Sequence, residues 1–242
     1  MPTLAIPKAV HALTSLFYPA TCVVCAANVE RSEYLCADCR RRAPRIVPPF
    51  CNKCSEPFPG AITQSFSCAN CEHRVLHFDC AVAAYRSRGL VRSLLHQFKY
   101  SGQRHLRFPV AGWLRETLHD SRLRDRRFDV IVPVPLHPVR ERERGFNQAQ
   151  LLAELLTVSA RAPLRLILER TRYTTTQTAH DRAERMENLH GAFRLRKNQD
   201  VRDLRVLLID DVLTTGSTLS ECARVLKKAG AVSIHAATAA RA

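Results

Sequence analysis

The sequence contains no long hydrophobic run. Among its 242 residues, no stretch reaches the roughly 18 apolar residues that a membrane-spanning helix needs. Residues 1–20 include Pro2, Pro7, Lys8 and His11, a composition atypical of an export signal. Their apolar residues recur at helical spacing from Ile6 to Phe17, which predicts a short helix that docks on the rest of the chain. We therefore expect a cytoplasmic protein.

Two common nucleotide-binding signatures are also absent. The chain has neither a G-x-x-x-x-G-K-[ST] loop nor a G-x-G-x-x-G turn. This excludes the usual phosphate loop of nucleoside-triphosphate hydrolases and the usual dinucleotide fingerprint. Internal repeats beyond the cysteine motifs and low-complexity tracts are missing as well.

Aromatic residues and lysines are scarce. Aromatics make up 7% of the chain, which weakens any role that depends on stacking nucleic-acid bases. Only 6 of the 37 basic residues are lysines, and the formal net charge is +15. Guanidinium groups donate paired hydrogen bonds to phosphates, so the arginine excess suits anionic ligands, although a compositional bias would produce the same ratio. The net charge favours polyanions in either case.

Cysteine is abundant by contrast. Eight of the ten cysteines form four Cys-x-x-Cys pairs, at Cys22/Cys25, Cys36/Cys39, Cys51/Cys54 and Cys68/Cys71. Two such pairs complete a tetrahedron of thiolates, so the spacing predicts two structural zinc sites. Pairing neighbours in sequence and interleaving the pairs both satisfy the spacing. Disulfides are the alternative, disfavoured by the lack of an export signal, and four redox motifs would be redundant.

The composition of the sequence changes near Phe78, from a polar, cysteine-rich stretch to alternating apolar and amphipathic stretches. Apolar runs such as 128–134 and 204–209 alternate with amphipathic stretches such as 89–102 and 217–230. This alternation predicts an α/β fold with a parallel sheet and helices on both faces. The polar, cysteine-rich front end is too poor in core residues to fold without metal. We expect a helix and double zinc ribbon over residues 1–76 and an α/β domain over residues 77–242.

The stretch "LLIDDVLTTGST", residues 207–218, predicts a ligand site. Asp210 and Asp211 follow a buried strand, and the next helix should begin near Ser217. Between them, the backbone N–H groups and hydroxyls of Thr214, Thr215, Gly216, Ser217 and Thr218 form an anion cradle at a helix N-terminus. Carboxylates beside such a cradle suit a vicinal diol or a hydrated Mg²⁺. Together these features describe a ribose 5-phosphate ligand.

This stretch resembles the motif that binds phosphoribosyl pyrophosphate (PRPP) in type I phosphoribosyltransferases. The segments 85–102, 129–153 and 172–193, together with the cysteine-rich front end, resemble the ComF/GntX family over nearly the whole chain. One departure is His180, where the family usually has leucine. The resemblance implies a type I phosphoribosyltransferase fold behind a double zinc ribbon, with PRPP and Mg²⁺ as ligands. The acceptor of any transfer and the oligomeric state are not implied.

The resemblance also assigns roles to individual residues. It makes Asp210 and Asp211 the catalytic carboxylates. It places a pyrophosphate loop after the strand 130–134, with PRPP contacts from Pro135, Leu136, His137, Arg140, Arg144, Asn147 and Gln148. A solvated, alternating charged face is the alternative for the arginines.

The polar segment 172–188 is read as a flap that closes over PRPP. It is longer than about 12 residues, and loops of that length are usually functional or disordered. The residues predicted to reach inward are Arg172, Gln177, Arg182 and Arg185. Because arginines and Mg²⁺ can balance the ligand's charge, no lysine is predicted at the site.

Two functions follow as hypotheses. The first is a Mg²⁺-dependent phosphoribosyltransferase with an unknown acceptor, serving DNA uptake in natural competence. The second is a non-enzymatic factor that binds single-stranded DNA and uses PRPP only as a ligand or signal, with DNA-processing or uptake proteins as partners. The net charge of +15 and the zinc ribbons favour the second hypothesis.

Overall fold

A computed structural model describes residues 19–30, 33–60, 66–173 and 189–242. The chain divides into two compact units, residues 1–43 and 44–242. The third and fourth Cys-x-x-Cys pairs therefore belong to the larger unit. A domain boundary at residue 76 stays a prediction. Across the described parts of the chain, every helix is too short or too polar to cross a membrane.

Helices and strands alternate along most of the larger unit. The described strands are β1 (Cys80–Arg86), β2 (Val130–Pro133), β3 (Leu168–Arg170), β4 (Phe193–Leu195), β5 (Arg205–Leu213) and β6 (Ser233–Arg241). The described helices are α1 (Ala37–Arg42), in the smaller unit, and α2 (Ala69–Glu72), α3 (Gly89–Tyr100), α4 (Arg107–Glu116), α5 (Pro138–Arg144), α6 (Gln148–Glu154), α7 (Thr157–Ala160) and α8 (Ser217–Lys228).

Four strands form a parallel sheet in the order β1-β6-β5-β2. The predicted parallel sheet is thereby confirmed. Strands β3 and β4 form a separate antiparallel pair. Because all four strands of the main sheet run in one direction, the loops that follow β2 and β5 lie at the same edge, where α/β proteins bind ligands.

Strand β5 lies inside the sheet and is apolar on both faces. Residues 206–209 are fully buried, as expected when helices cover both sides of a parallel sheet. Helix α8 packs on β5 and β6 through buried residues such as Leu219 and Leu226, and α4 packs on β1 and β6. Helices therefore cover both faces of the sheet, as predicted.

Two predicted boundaries were wrong. Strand β5 does not leave the sheet at Asp211, because Val212 and Leu213 continue the pairing with β6. The apolar spacing over residues 146–160 predicts one continuous helix, but the structure has two short helices there, α6 and α7, separated by Leu155 and Leu156. There the Thr157 hydroxyl donates to the Glu154 carbonyl at 3.0 Å, which competes with the helical hydrogen bond.

Helix α5 was not predicted, although its signals are in the sequence. His137 caps it and Pro138 occupies its first turn. Gly145 ends it in the left-handed conformation with φ of +78°, which favours glycine. The alternating arginines and glutamates between these ends carry no apolar periodicity, so the apolar pattern does not predict a helix over these residues.

Candidate active site and metal sites

The eight paired cysteines converge in two clusters. Within each cluster, the ligand atoms all lie within 4.8 Å of one another. The first cluster consists of Cys22, Cys25, Cys36 and Cys39, and the second cluster consists of Cys51, Cys54, Cys68 and Cys71. Neighbouring pairs in sequence therefore share a site, and the interleaved arrangement is wrong.

Both clusters fit structural zinc. The Sγ atoms of Cys25 and Cys36 are 3.6 Å apart, and those of Cys54 and Cys68 are also 3.6 Å apart. A tetrahedron with zinc–sulfur bonds of about 2.3 Å has edges of about 3.8 Å. The spacing is far longer than the roughly 2.05 Å of a disulfide. Zinc would bind these thiolates as a purely structural ion.

The second cluster is embedded in the larger unit. Cys51 and Cys54 are buried in the same apolar cluster as Leu208 of β5 and Leu219 of α8. Hydrogen bonds among these thiols lower the pKa of Cys51 and raise the pKa of Cys71. Four thiols so close cannot all ionise alone, so a divalent cation is the natural complement of the set.

The acidic pair, Asp210 and Asp211, lies on the part of β5 that pairs with β6 but no longer with β2. Pairing with β2 ends at Ile209, whereas pairing with β6 continues through Asp210. Asp210 is half-buried and Asp211 is buried. The backbone N–H of Asp211 donates to Asp210 Oδ1 at 2.9 Å. The end of β2 thus opens the sheet edge beside the two carboxylates.

A lysine that was not predicted pairs with Asp211. Nζ of Lys99, at the end of α3, lies 2.8 Å from Asp211 Oδ2. Burial acts to lower the pKa of Lys99, but the Asp211 carboxylate outweighs it and raises that pKa. Burial and the neighbouring Asp211 raise the pKa of Asp210 to about 7, although Lys99 acts to lower it. The site therefore has one carboxylate that forms an ion pair with a lysine and one that gains from a cation or a hydroxyl donor.

Residues 214–218, named the phosphate loop for their predicted ligand, connect β5 to α8. Gly216 has φ of +79°, so the turn favours glycine at this position. The hydroxyl oxygens of Thr215 and Ser217 are 2.8 Å apart. Ser217 begins α8, and the N–H groups of the first turn of that helix, which have no partner within the helix, point toward the loop. The predicted cradle residues are thus brought together as one turn.

The loop after β2 is held by its own side chains. Asn147 Nδ2 donates to the Val134 carbonyl at 3.1 Å, and Asn147 Oδ1 caps α6. Gln148 is buried and accepts from Arg144 Nη1 at 2.7 Å. His137 Nδ1 accepts from the Val139 N–H at 3.3 Å. These three predicted ligand residues shape the loop that carries Pro135 and Leu136.

The two predicted arginines contact aromatic rings near Lys99. Arg144 lies over the ring of Tyr100 at 5.0 Å, and Arg140 lies over that of Tyr173 at 5.5 Å. Lys99, both tyrosines and both arginines line a cleft of about 380 Å³. A second cleft, of about 640 Å³, lies against the β2 loop and the β3–β4 pair. Three basic side chains therefore line the first cleft, and one of them, Lys99, links it to Asp211.

Most of the predicted flap lies outside the described residues, including Gln177, Arg182 and Arg185. Arg172 is described, and its Nη1 donates to the His190 carbonyl at 2.9 Å. The adjacent N–H of Thr171 donates to the Ala192 carbonyl at 2.9 Å. These bonds join the two ends of the segment at its base.

Lys99, Arg170 and Arg74 are site residues that sequence reasoning missed. Arg170, on β3, is half-buried, and burial with the nearby Arg140 lowers its pKa while Asp210 acts to raise it. Arg74 donates to the phosphate loop. Because the chain has only 6 lysines, the presence of Lys99 near the predicted site segments could have marked it as a candidate site residue. No sequence feature marked Arg74 or Arg170 as a site residue, because the chain has 31 arginines and these two do not differ from the others in their sequence context.

Two family models match the chain. A double zinc ribbon domain matches residues 13–74, and a phosphoribosyl transferase domain matches residues 112–242. The parallel sheet, its carboxyl-edge loop and the two cysteine clusters agree with both. The molecule is therefore of the class that joins a double zinc ribbon to a phosphoribosyltransferase domain.

Three relatives are similar over most of their length. Competence protein F of Haemophilus influenzae is 30% identical over 93% of this chain and 99% of the relative. Competence protein ComFC of Bacillus subtilis is 32% identical over 86% of this chain and 85% of the relative. DNA utilization protein YhgH of Escherichia coli K12 is 30% identical over 91% of this chain and 96% of the relative. The chain belongs to the ComF family.

Proposed function

We propose that this protein binds PRPP with Mg²⁺ at the carboxyl edge of the sheet. It transfers the phosphoribosyl group to an acceptor in the service of DNA uptake or utilization. The observation that carries this proposal is the adjacency of the acidic pair Asp210–Asp211 and the phosphate loop on β5. The names of the relatives support the link to competence and DNA utilization.

The two ends of the ligand have separate binding groups. The phosphate loop receives the 5-phosphate through N–H groups and hydroxyls. Asp210 accepts hydrogen bonds from the ribose hydroxyls. The loop after β2, with Arg140 and Arg144, receives the pyrophosphate. Strands β2 and β5 are neighbours, so both groups serve one ligand.

The carboxylates and the oxygens of the ligand are hard donors that suit Mg²⁺. Mg²⁺ supplies charge neutralisation of the leaving pyrophosphate. Asp210 is the better-suited protein group, because Lys99 already pairs with Asp211. As the bond at C1′ loosens, the carboxylates oppose the positive charge that develops on the ribose. Arg140 and Arg144 oppose the negative charge on the departing group.

Calorimetric titration with PRPP in the presence of Mg²⁺ tests binding. The wild type should bind, and the double variant Asp210→Asn/Asp211→Asn should bind at least tenfold more weakly. Asp125→Asn, at an exposed carboxylate on another surface, is the matched control and should bind like the wild type. A screen for pyrophosphate release across candidate acceptors then tests transfer. A wild type that does not bind PRPP would defeat the proposal.

A second function, binding of single-stranded DNA, is supported by a basic cleft at the opposite edge of the sheet. This arginine cleft has a volume of about 730 Å³. Its basic lining residues are His119, Arg124, Arg126, Arg127, Arg161 and Arg205. Phe128, its aromatic residue, is only 8% exposed and so cannot stack on bases. We expect contacts to the phosphate backbone with little base preference.

A further inference from the structure

The chain that follows the second cluster lies against the phosphate loop. Asn70 lies inside the last Cys-x-x-Cys of that cluster, and Arg74 lies three residues beyond it. Arg74 donates from Nη1 to the Thr215 carbonyl at 3.1 Å and from Nη2 to Ser217 Oγ at 2.9 Å. Asn70 Nδ2 donates to the same Thr215 carbonyl at 3.3 Å. Asn70 and Arg74, which lie in or next to the second cluster, therefore bind the Thr215 carbonyl and the Ser217 hydroxyl of the loop.

The contact continues beyond these side chains. Arg74 Nη1 also donates to Asn70 Oδ1 at 2.7 Å, which joins the two donors to each other. The N–H of His77 donates to Ser220 Oγ, in α8, at 3.1 Å. A Cβ on Gly216 would lie 3.5 Å from the ring of Phe78, which is fully buried. The segment after the second cluster thus borders both the turn and the first turn of α8.

These contacts fix the orientation of one peptide plane in the loop. In a trans peptide, the carbonyl and the next N–H point in opposite directions. The Thr215 carbonyl points at Asn70 and Arg74, so the Gly216 N–H points away from them. Because guanidinium only donates, Ser217 Oγ accepts from Arg74 and keeps its own proton for Thr215 or a ligand oxygen. Without these donors, the carbonyl could turn toward a bound phosphate and repel it.

We propose that Arg74 is a positioning residue for the phosphate loop and that zinc at the second cluster and PRPP at the loop stabilise one another. This inference rests on the proposed function for its PRPP half. By thermodynamic reciprocity, the factor by which zinc strengthens PRPP binding equals the factor by which PRPP strengthens zinc binding. The first cluster has no part in this coupling.

The first cluster offers matched controls at the same motif positions. Asp38 lies inside its last Cys-x-x-Cys, as Asn70 does in the second cluster, and Arg42 corresponds to Arg74. Asp38 and Arg42 pair with each other at 3.8 Å, and their side chains are 60% and 70% exposed. Asp38 and Arg42 thus occupy the same motif positions as Asn70 and Arg74, but they are exposed to solvent. A substitution at either one is therefore a control for a change near a cysteine cluster.

The experiment uses the zinc-loaded full chain with Arg74→Gln, Arg74→Lys and the control Arg42→Gln. The first measurement, without ligand, is amide hydrogen exchange in residues 214–218. Arg74→Gln should raise the exchange rate and should weaken PRPP binding about tenfold, the effect of losing charge-assisted hydrogen bonds. Arg74→Lys should have an exchange rate and a PRPP affinity between those of Arg74→Gln and the wild type. Arg42→Gln should match the wild type in both measurements.

The second measurement is the rate of cysteine alkylation during chelation, resolved by peptide. PRPP with Mg²⁺ should slow alkylation of the second cluster about tenfold in the wild type and should leave the first cluster unchanged. Arg74→Gln should abolish this protection. Normal exchange together with normal PRPP affinity in Arg74→Gln would overturn this inference alone. Failure of the wild type to bind PRPP would instead overturn the proposed function, together with the PRPP half of the coupling.

Discussion

At the scale of single residues, the ion pair between Lys99 and Asp211 decides which carboxylate is available. The Lys99 side chain is 24% exposed and that of Asp211 is 8% exposed. Such a pair needs both partners, since removing one leaves a charge that is poorly solvated. Asp211 therefore anchors α3 to β5, and Asp210 is the carboxylate that we propose contacts the ligand.

Replacing Lys99 with methionine should destabilise the fold. A fully buried pair that loses one partner costs about 3–5 kcal/mol, and the partial exposure of Lys99 reduces the expected loss to about 2 kcal/mol. Urea unfolding of Lys99→Met measures it, with Lys228→Met, at an exposed lysine in the last turn of α8, as the control. Adding Asp211→Asn should recover part of the loss. Additive effects of the two substitutions would contradict the pairing.

At the scale of elements, strand β6 carries a buried histidine at the sheet's amino end. His235, which is 3% exposed, lies in register with Cys80 of β1 and Leu207 of β5. Its ring lies 5.8 Å from that of Phe128. Burial lowers the pKa of His235 to about 4, helped by Arg126 and opposed by Asp79. The sheet therefore contains a histidine that it accommodates only in the neutral form.

Acid should destabilise the sheet through His235. In the unfolded chain the histidine binds a proton near pH 6.5, whereas in the fold it does so near pH 4, so unfolding takes up a proton between these values. Stability is complete above about pH 6.5 and falls as the pH drops toward 4, by up to about 3 kcal/mol. His235→Gln should lose this slope in unfolding measured against pH. His105→Gln, at an exposed histidine, is the control, and an unchanged slope in His235→Gln would contradict the assignment.

At the scale of the whole chain, two sites with different charge patterns lie at opposite edges of one sheet. The carboxyl edge carries the acidic pair beside the phosphate loop, whereas the amino edge, where β2 and β5 begin, carries the arginine cleft. Arg205 at that edge pairs with Asp129 at 2.7 Å, and Arg124, Arg126 and Arg127 are exposed. Part of the positive charge of this chain, whose net charge is +15, therefore lies on a surface separate from the proposed PRPP site.

Single-stranded DNA should bind at the arginine cleft in a salt-dependent way. Replacing Arg124, Arg126 and Arg127 with alanine should weaken binding and flatten the salt dependence, by about 0.7 in the log–log slope for each DNA phosphate that an arginine no longer neutralises. The matched control replaces three exposed arginines of the first ribbon, residues 40–42, which removes the same charge. Fluorescence anisotropy of labelled single-stranded DNA at several salt concentrations measures the affinity and its salt dependence in the two triple variants. An equal reduction of affinity in the two triple variants would show that net charge alone, and not the cleft, binds DNA.

The alternation of apolar and amphipathic stretches was enough to predict the parallel sheet, and the four Cys-x-x-Cys pairs were enough to predict two Cys₄ clusters. The family resemblance supplied the site segments. These features are local in sequence: periodicity, motif spacing and a glycine that permits a tight turn are each readable within about 20 residues. The turn 214–218 was correctly placed for the same reason.

Contacts between distant segments were decided only by the tertiary structure. It joined neighbouring cysteine pairs rather than interleaved ones, extended β5 to Leu213 by pairing it with β6, and brought Lys99 to Asp211 and Arg74 to Thr215. Each depends on which surfaces pack together, and the residue types involved are too common in this chain to mark their partners. Local patterns in the sequence therefore specify most of the elements and the motif of the site, whereas packing decides which charges and donors surround that motif.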